Sequence, residues 1–197
     1  TEAYVAVCLR EWVDEIINNC SRCNDYCNRF EKDIFITRTK SENPKIIILQ
    51  QYQKIKNNHD SINEIIELLN IDEKDWYSSN CIKCVKESDA ITDVLLNNRF
   101  EKCFRNLEKE VEIIQPLLII TSDNESFLHL SSQFKINQGS TAFFDIITIN
   151  NSAIPILNFV AFKETDSKTW NDLNSELKIL LSAEKVSTVR PRIKERK

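Results

Sequence analysis

Seven cysteines and two histidines carry most of the chemistry that this sequence could perform. Cys20 and Cys23 form a C-x-x-C pair, and Cys84 and Cys103, from distant elements, are candidates for two further ligands. Four thiolates can close a tetrahedral zinc site or hold an iron–sulfur cubane. Small buried cysteines also simply fill cores, and the spacing alone leaves both readings open. Histidine is the usual proton carrier near neutral pH. His59 beside Asp60 is a candidate for proton transfer, or a solvated residue near a helix start. His129, among Phe127, Leu128 and Leu130, reads as structural. The acid pairs Asp72/Glu73 and Glu108/Glu110 read as helix-surface charges rather than a glycosidase pair. There is one glycine, Gly139, where average usage of about 7% would give roughly fourteen. That rules out glycine-rich phosphate loops, and no G-x-S-x-G, H-E-x-x-H or Walker pattern occurs.

These residues need a scaffold. The chain has 197 residues, 42% of them hydrophobic and 28% charged, which is globular composition on the scale of one domain. The odd cysteine count and the lack of a signal-peptide pattern favour a reducing, cytoplasmic setting. No apolar run approaches the ~20 residues that span a bilayer, so no membrane role is expected. Val5, Cys8, Leu9, Trp12, Val13, Ile16 and Ile17 recur at helical spacing. Ile34 to Thr37 reads as a short strand. Lys45 to Leu49 and Leu117 to Ile120 are short apolar, β-branched runs typical of buried parallel strands. Ser61 and Glu64 suggest a capping box for a helix bearing Ile62, Ile65, Ile66 and Leu69, and Ser122 and Glu125 suggest another. Trp76 to Lys83 reads as extended. Cys103, Phe104, Leu107, Val111 and Ile114 share a helical face that Pro116 closes. Phe143 to Ile149 and Ile154 to Phe162 read as strands, and Asp166 or Ser167 starts a last helix. The alternation predicts one α/β domain over residues 1–184, with a sheet at least partly parallel and covered by helices on both faces. Residues 185–197 form a basic tail of net charge +5; the whole chain carries −4, which leaves −9 on the remainder.

In four places the order of motifs resembles the iron–sulfur uracil-DNA glycosylases of the family 4 type, over roughly residues 5 to 180. An amphipathic segment from Leu9 runs into Cys20 and Cys23. The family segment T-N-v-v-K-C is matched by Ser79-Asn80-Cys81-Ile82-Lys83-Cys84. A helix opened by a cysteine, then a proline and a strand, corresponds to Cys103 through Pro116 and Ile120. The late W-x-D-L pattern is Trp170-Asn171-Asp172-Leu173. The resemblance implies a glycosylase-like fold, a central, mostly parallel four-stranded sheet flanked by helices, and a [4Fe–4S] cluster on Cys20, Cys23, Cys84 and Cys103; on thiolate chemistry alone zinc is the alternative metal. Cys81 stands where the family has an aliphatic residue and is expected in the core, and Asn80 matches the base-recognising asparagine.

The departures bear on function. Where the family carries G-E-A-P-G, this chain has Gln50-Gln51-Tyr52-Gln53-Lys54, with neither glycine nor carboxylate. Lys56 to Asp60 replaces the glycine-flanked aromatic that stacks on the base. Phe159 to Phe162 stands near the place of the catalytic H-P-S, and no histidine follows His129. The expectation is a scaffold that has lost base excision and acts as a DNA-binding or protein-binding subunit, for example in replication or repair. The tail residues Arg190, Arg192, Lys194, Arg196 and Lys197 are the candidate phosphate contacts. Two alternatives are a divergent active glycosylase using Asn80, His59 and Asp60, and a zinc-stapled interaction module.

Overall fold

The structure is a computed structural model, and it describes residues 11, 20, 44–51, 58–83, 93–133, 143–149 and 152–182. The expected strand at 34–37, the amphipathic segment at 5–17 and the basic tail lie outside those residues. In chain order the elements are β1 (Ile46–Gln50), α1 (Asn58–Leu69), β2 (Trp76–Asn80), α2 (Asp93–Ile114), β3 (Leu118–Thr121), α3 (Asn124–Gln133), β4 (Phe144–Ile149), β5 (Ser152–Asn158), α4 (Phe159–Lys163) and α5 (Ser167–Ser182). The described residues therefore form an α/β fold around one mixed sheet of five strands, ordered β2-β1-β3-β5-β4.

The four strands β2, β1, β3 and β5 run parallel, and β4 pairs antiparallel with β5. The expected four-stranded sheet thus gains an antiparallel edge. Its residues show why it lies there: Asp145, Ile147 and Ile149 are buried while Ile146 and Thr148 are exposed. That alternation suits a strand with one wet face. The central strands β1 and β3 are buried at every position, as continuous apolar runs covered on both sides must be.

Two core layers flank the sheet. On one face Ile47, Leu49, Ile119 and Ile156 meet Phe100, Cys103, Leu107 and Val111 of α2 and Phe127 and Leu130 of α3. On the other, Ile46, Ile48, Leu118 and Leu157 meet Ile62, Ile65 and Leu69 of α1, Phe159 and Phe162 of α4, and Leu177 of α5. Among the described residues no helix is long and apolar enough to cross a membrane.

Several boundaries differ from the sequence expectation. α1 begins at Asn58, so Ser61 lies inside its first turns rather than at its cap. The Glu64 carboxylate accepts from Lys163 Nζ at 2.8 Å instead of closing a capping box. The cap of α3 is Asp123, not Ser122: Ser126 N–H donates to Asp123 Oδ1 at 2.7 Å. The apolar run from Ile154 to Phe162 is a strand only as far as Asn158. There the Asn158 side chain accepts from Ala161 N–H at 3.4 Å and starts α4, which buries Phe159 and Phe162 one turn apart. Helix ends that would commonly use glycine use Asn70 (φ 51°) and Gln115 (φ 50°), both left-handed. Ile71 N–H returns to Ile66 C=O at 3.0 Å and Gln115 N–H to Val111 C=O at 2.8 Å, closing those two helices.

Candidate functional site

In an open α/β sheet, ligands bind beyond the carboxyl ends of the strands, where the strand order reverses. Here β1 is followed by β2 on one side and β3 lies on its other side, so that point falls between β1 and β3. The residues at these ends are Gln50, which closes β1, and Gln51; Asn80, which closes β2, and Cys81; Ser122 and Asp123 after β3; and Asn158, which closes β5. Backbone bonds hold the rim tightly. Cys81 N–H donates to Gln50 C=O at 2.7 Å, Ile82 N–H to Gln51 C=O at 2.9 Å, and Ser122 N–H to Leu49 C=O at 2.9 Å.

Asp123 fills the crevice. Its Oδ2 accepts from Gln51 N–H at 2.9 Å and from Ser122 Oγ–H at 3.4 Å. Its Oδ1 takes the α3 amide already described. A side-chain carboxylate therefore occupies backbone donors at a helix N-terminus, the kind of donors that hold an external anion in phosphate-binding folds. Asn158 Nδ2 donates to Asn124 Oδ1 at 2.8 Å, which closes the rim on the β5 side.

Asn80 is the last residue of β2 and is buried. His59 and Asp60 open α1, which follows β1, so the topology brings their backbone to the same end of the sheet as Asn80. Their side chains lie outside the described residues. His129 is stacked on Phe100 with ring centroids 3.9 Å apart, and burial holds its pKa below the ordinary histidine value. It is a packing residue.

Beside the crevice lies a cluster that the sequence reading missed. Glu110, read from sequence as a surface charge, is fully buried. Its Oε1 accepts from Tyr77 Oη–H at 3.0 Å, and both carboxylate oxygens accept from Ser79 Oγ–H, at 2.7 and 2.9 Å. Its Oε2 pairs with Lys83 Nζ at 2.6 Å. Lys83 Nζ also donates to Ser79 Oγ. Burial, and then the Glu110 charge, keeps the Tyr77 hydroxyl well above its ordinary pKa, so it stays a donor. A serine beside a lysine is a nucleophile–base pairing in some hydrolases, but here Ser79 is 1% and Lys83 2% exposed, and both are bonded to Glu110. A signal existed: Glu110 lies seven residues after Cys103, inside the apolar stripe of α2.

Of the four expected metal ligands, Cys103 is buried on α2 and Cys20 is half-buried, while Cys23 and Cys84 lie outside the described residues. Among the described residues no group of three or more His, Cys, Asp or Glu is gathered as a metal site. An all-thiol donor set suits iron–sulfur or zinc. Cys81 does not join it. Its thiol donates to Ser126 Oγ at 3.5 Å, and burial, then the Asp123 charge, pushes its pKa up. It remains a neutral core thiol, as the sequence reading expected. Cys8, Cys27 and the tail residues Arg190, Arg192, Lys194, Arg196 and Lys197 lie outside the described residues. On the opposite face, a cavity of about 420 Å³ is lined by Leu118, Leu157, Phe162, Leu173 and Leu177, a hydrocarbon wall far poorer in reactive groups.

No protein-family model matches this chain, and no curated protein matches it.

Proposed function

We propose that this chain is a uracil-DNA glycosylase-like scaffold that has lost base excision, keeps a [4Fe–4S] cluster on Cys20, Cys23, Cys84 and Cys103, and works by binding DNA. The observation that carries the loss of excision is Asp123. It occupies the donors at the strand-order reversal, where the resembled family leaves room for base and phosphate. The neighbouring Gln50 and Gln51 offer amides where a carboxylate would orient water. General acid–base help is worth about 10²–10⁴-fold and a single preorganised donor roughly 10²–10³-fold, so a site whose backbone donors are taken by Asp123 and whose G-E-A-P-G carboxylate position is glutamine retains little rate. The cluster, when bound, supplies a staple joining the N-terminal segment to the two elements that carry Cys84 and Cys103. DNA affinity comes from the tail, because a body of net charge −9 repels a polyanion.

One observation favours a second reading: the first turn of α1 carries His59 and Asp60 at the same end of the sheet as Asn80. Incubation with uracil-containing single- and double-stranded DNA separates the two. The expected result is no abasic product. Turnover abolished by Asn80→Ala or His59→Ala establishes the enzyme instead. For binding, four to six tail–phosphate contacts give log K against log salt a slope of about −4 to −5. Removing residues 186–197 flattens the slope; an unchanged slope points to a protein partner for the tail.

A further inference from the structure

We propose that the apolar cavity under α5 is a binding site for a small hydrophobic molecule, rich in hydrocarbon and without an anionic group. The site lies on the face of the sheet opposite the one that holds Glu110, and it stands independently of the glycosylase-like reading.

The cavity is kept open by its frame, because α5 is pinned at both ends. Near its start Trp170 stacks on Phe162 of α4 with centroids 4.4 Å apart, and Thr169 N–H donates to Asp166 Oδ1 at 2.9 Å. Near its end the Leu181 C=O accepts from Nζ of Lys45, the residue that leads into β1. Trp170 and Leu181 are eleven residues apart, about 16 Å of helix. Between these pins, Leu173, Leu177 and Leu180 of α5 line one side of a space of about 420 Å³, and Leu118, Pro155 and Leu157 of the sheet line the other.

Native interiors hold few voids larger than a water molecule, so a space of this size calls for an occupant. Water is a poor one. A buried water needs about two to four polar partners, and among the described residues that line the cavity only Asn174 and Glu176 have polar side chains. The volume falls within the range of ligand pockets, about 300–1,000 Å³, whose walls are mostly hydrocarbon with a few polar groups. Apolar surface also continues outside it. Ile179, in the wall, is 69% exposed, and Ile146, which pairs across the hairpin with the lining residue Pro155, is 37% exposed. A hydrophobic molecule therefore meets apolar surface before it enters. The one charge among the described lining residues is that of Glu176, which is exposed and so stands at the rim. Its carboxylate repels an acidic head group and accepts a neutral or cationic one.

The test uses the full chain and Nile red, a neutral hydrophobic dye, displaced by decan-1-ol, decylamine or decanoate below the concentrations at which they aggregate. One dye is expected per chain. Decan-1-ol is expected to displace it and to raise the melting temperature, as any ligand of the folded state does. Decanoate is expected to bind about fivefold more weakly than decylamine, the scale of one partly screened charge contact. Glu176→Lys changes an exposed residue and is expected to reverse that order while leaving decan-1-ol unchanged. Leu173→Trp fills the space from its wall and is expected to weaken dye binding about tenfold or more. Absence of saturable dye binding by the wild type overturns the site, and so does a folded Leu173→Trp that binds as the wild type does. Should Leu173→Trp not fold, a decylamine-to-decanoate preference that Glu176→Lys leaves unchanged overturns it alone.

Discussion

The two faces of the sheet are built from the same strands and hold different things. The face under α1, α4 and α5 is hydrocarbon: Phe162 stacks on Trp170 with centroids 4.4 Å apart, and aliphatic side chains fill most of the remaining space. The face under α2 and α3 buries Glu110 with its three donors, and it carries Cys81, Cys103 and the stacked His129. Both faces stabilise the fold, and among the described residues the second holds the fully buried ion pair of Lys83 and Glu110. The contrast is one of packing: apolar contacts fill one face, and the other also holds polar groups whose partners lie inside the protein.

The largest effect expected on the hydrocarbon face comes from Phe162→Ala. The side chain is 1% exposed, and its loss costs about 3–5 kcal/mol through lost burial and a cavity. In a chain this long that lowers the melting temperature by roughly 6–20 °C, read by calorimetry. On the polar face Glu110→Ala costs a similar 3–5 kcal/mol or so, because Lys83 is left buried without its carboxylate. The mechanisms part on addition of a second change. Lys83→Met recovers the part of the Glu110→Ala loss that the unpaired charge causes, while the Tyr77 and Ser79 hydroxyls still lack their acceptor, and no such charge removal recovers Phe162→Ala. Equal, unrecoverable losses would erase the distinction between the faces.

A smaller effect belongs to the crevice. Asp123→Ala removes the cap of α3 and the acceptor for Gln51 N–H, at a cost of about 1–2 kcal/mol, measurable in urea. The smallest is acid sensitivity from His129. Its folded pKa is lowered below 6.5 by burial, so the unfolded chain binds the proton more readily. Its contribution is present above pH 6.5 and fades as pH falls through the folded value. His129→Phe keeps the stack on Phe100 and flattens that limb of the stability curve. An unchanged slope between pH 7 and 5 would assign it to other groups.

The central strands were legible because burial on both sides leaves an uninterrupted apolar run, which β1 and β3 display. The edge strand β4 was legible as a strand through its alternation, while its direction is set by the hairpin with β5, which residue pattern does not encode. The end of β5 was misread because a short apolar run does not distinguish strand from buried helix. Asn158, a cap in the middle of that run, is the single residue that decides it. Glu110 was misread because charge was weighed above position, although the apolar stripe of α2 runs straight through it. Asp123 caps α3 locally through Ser126 N–H, but its bond to Gln51 N–H, 72 residues earlier in the chain, is a tertiary relation that local spacing does not contain.

The most direct test of the account is the metal content of full-length protein purified without oxygen. The account predicts about four irons and matching sulfide per chain, a broad visible absorption band, and loss of both in Cys20→Ala and Cys103→Ala. Stoichiometric zinc without iron in the same preparation would contradict it and leave a zinc-stapled interaction module in its place.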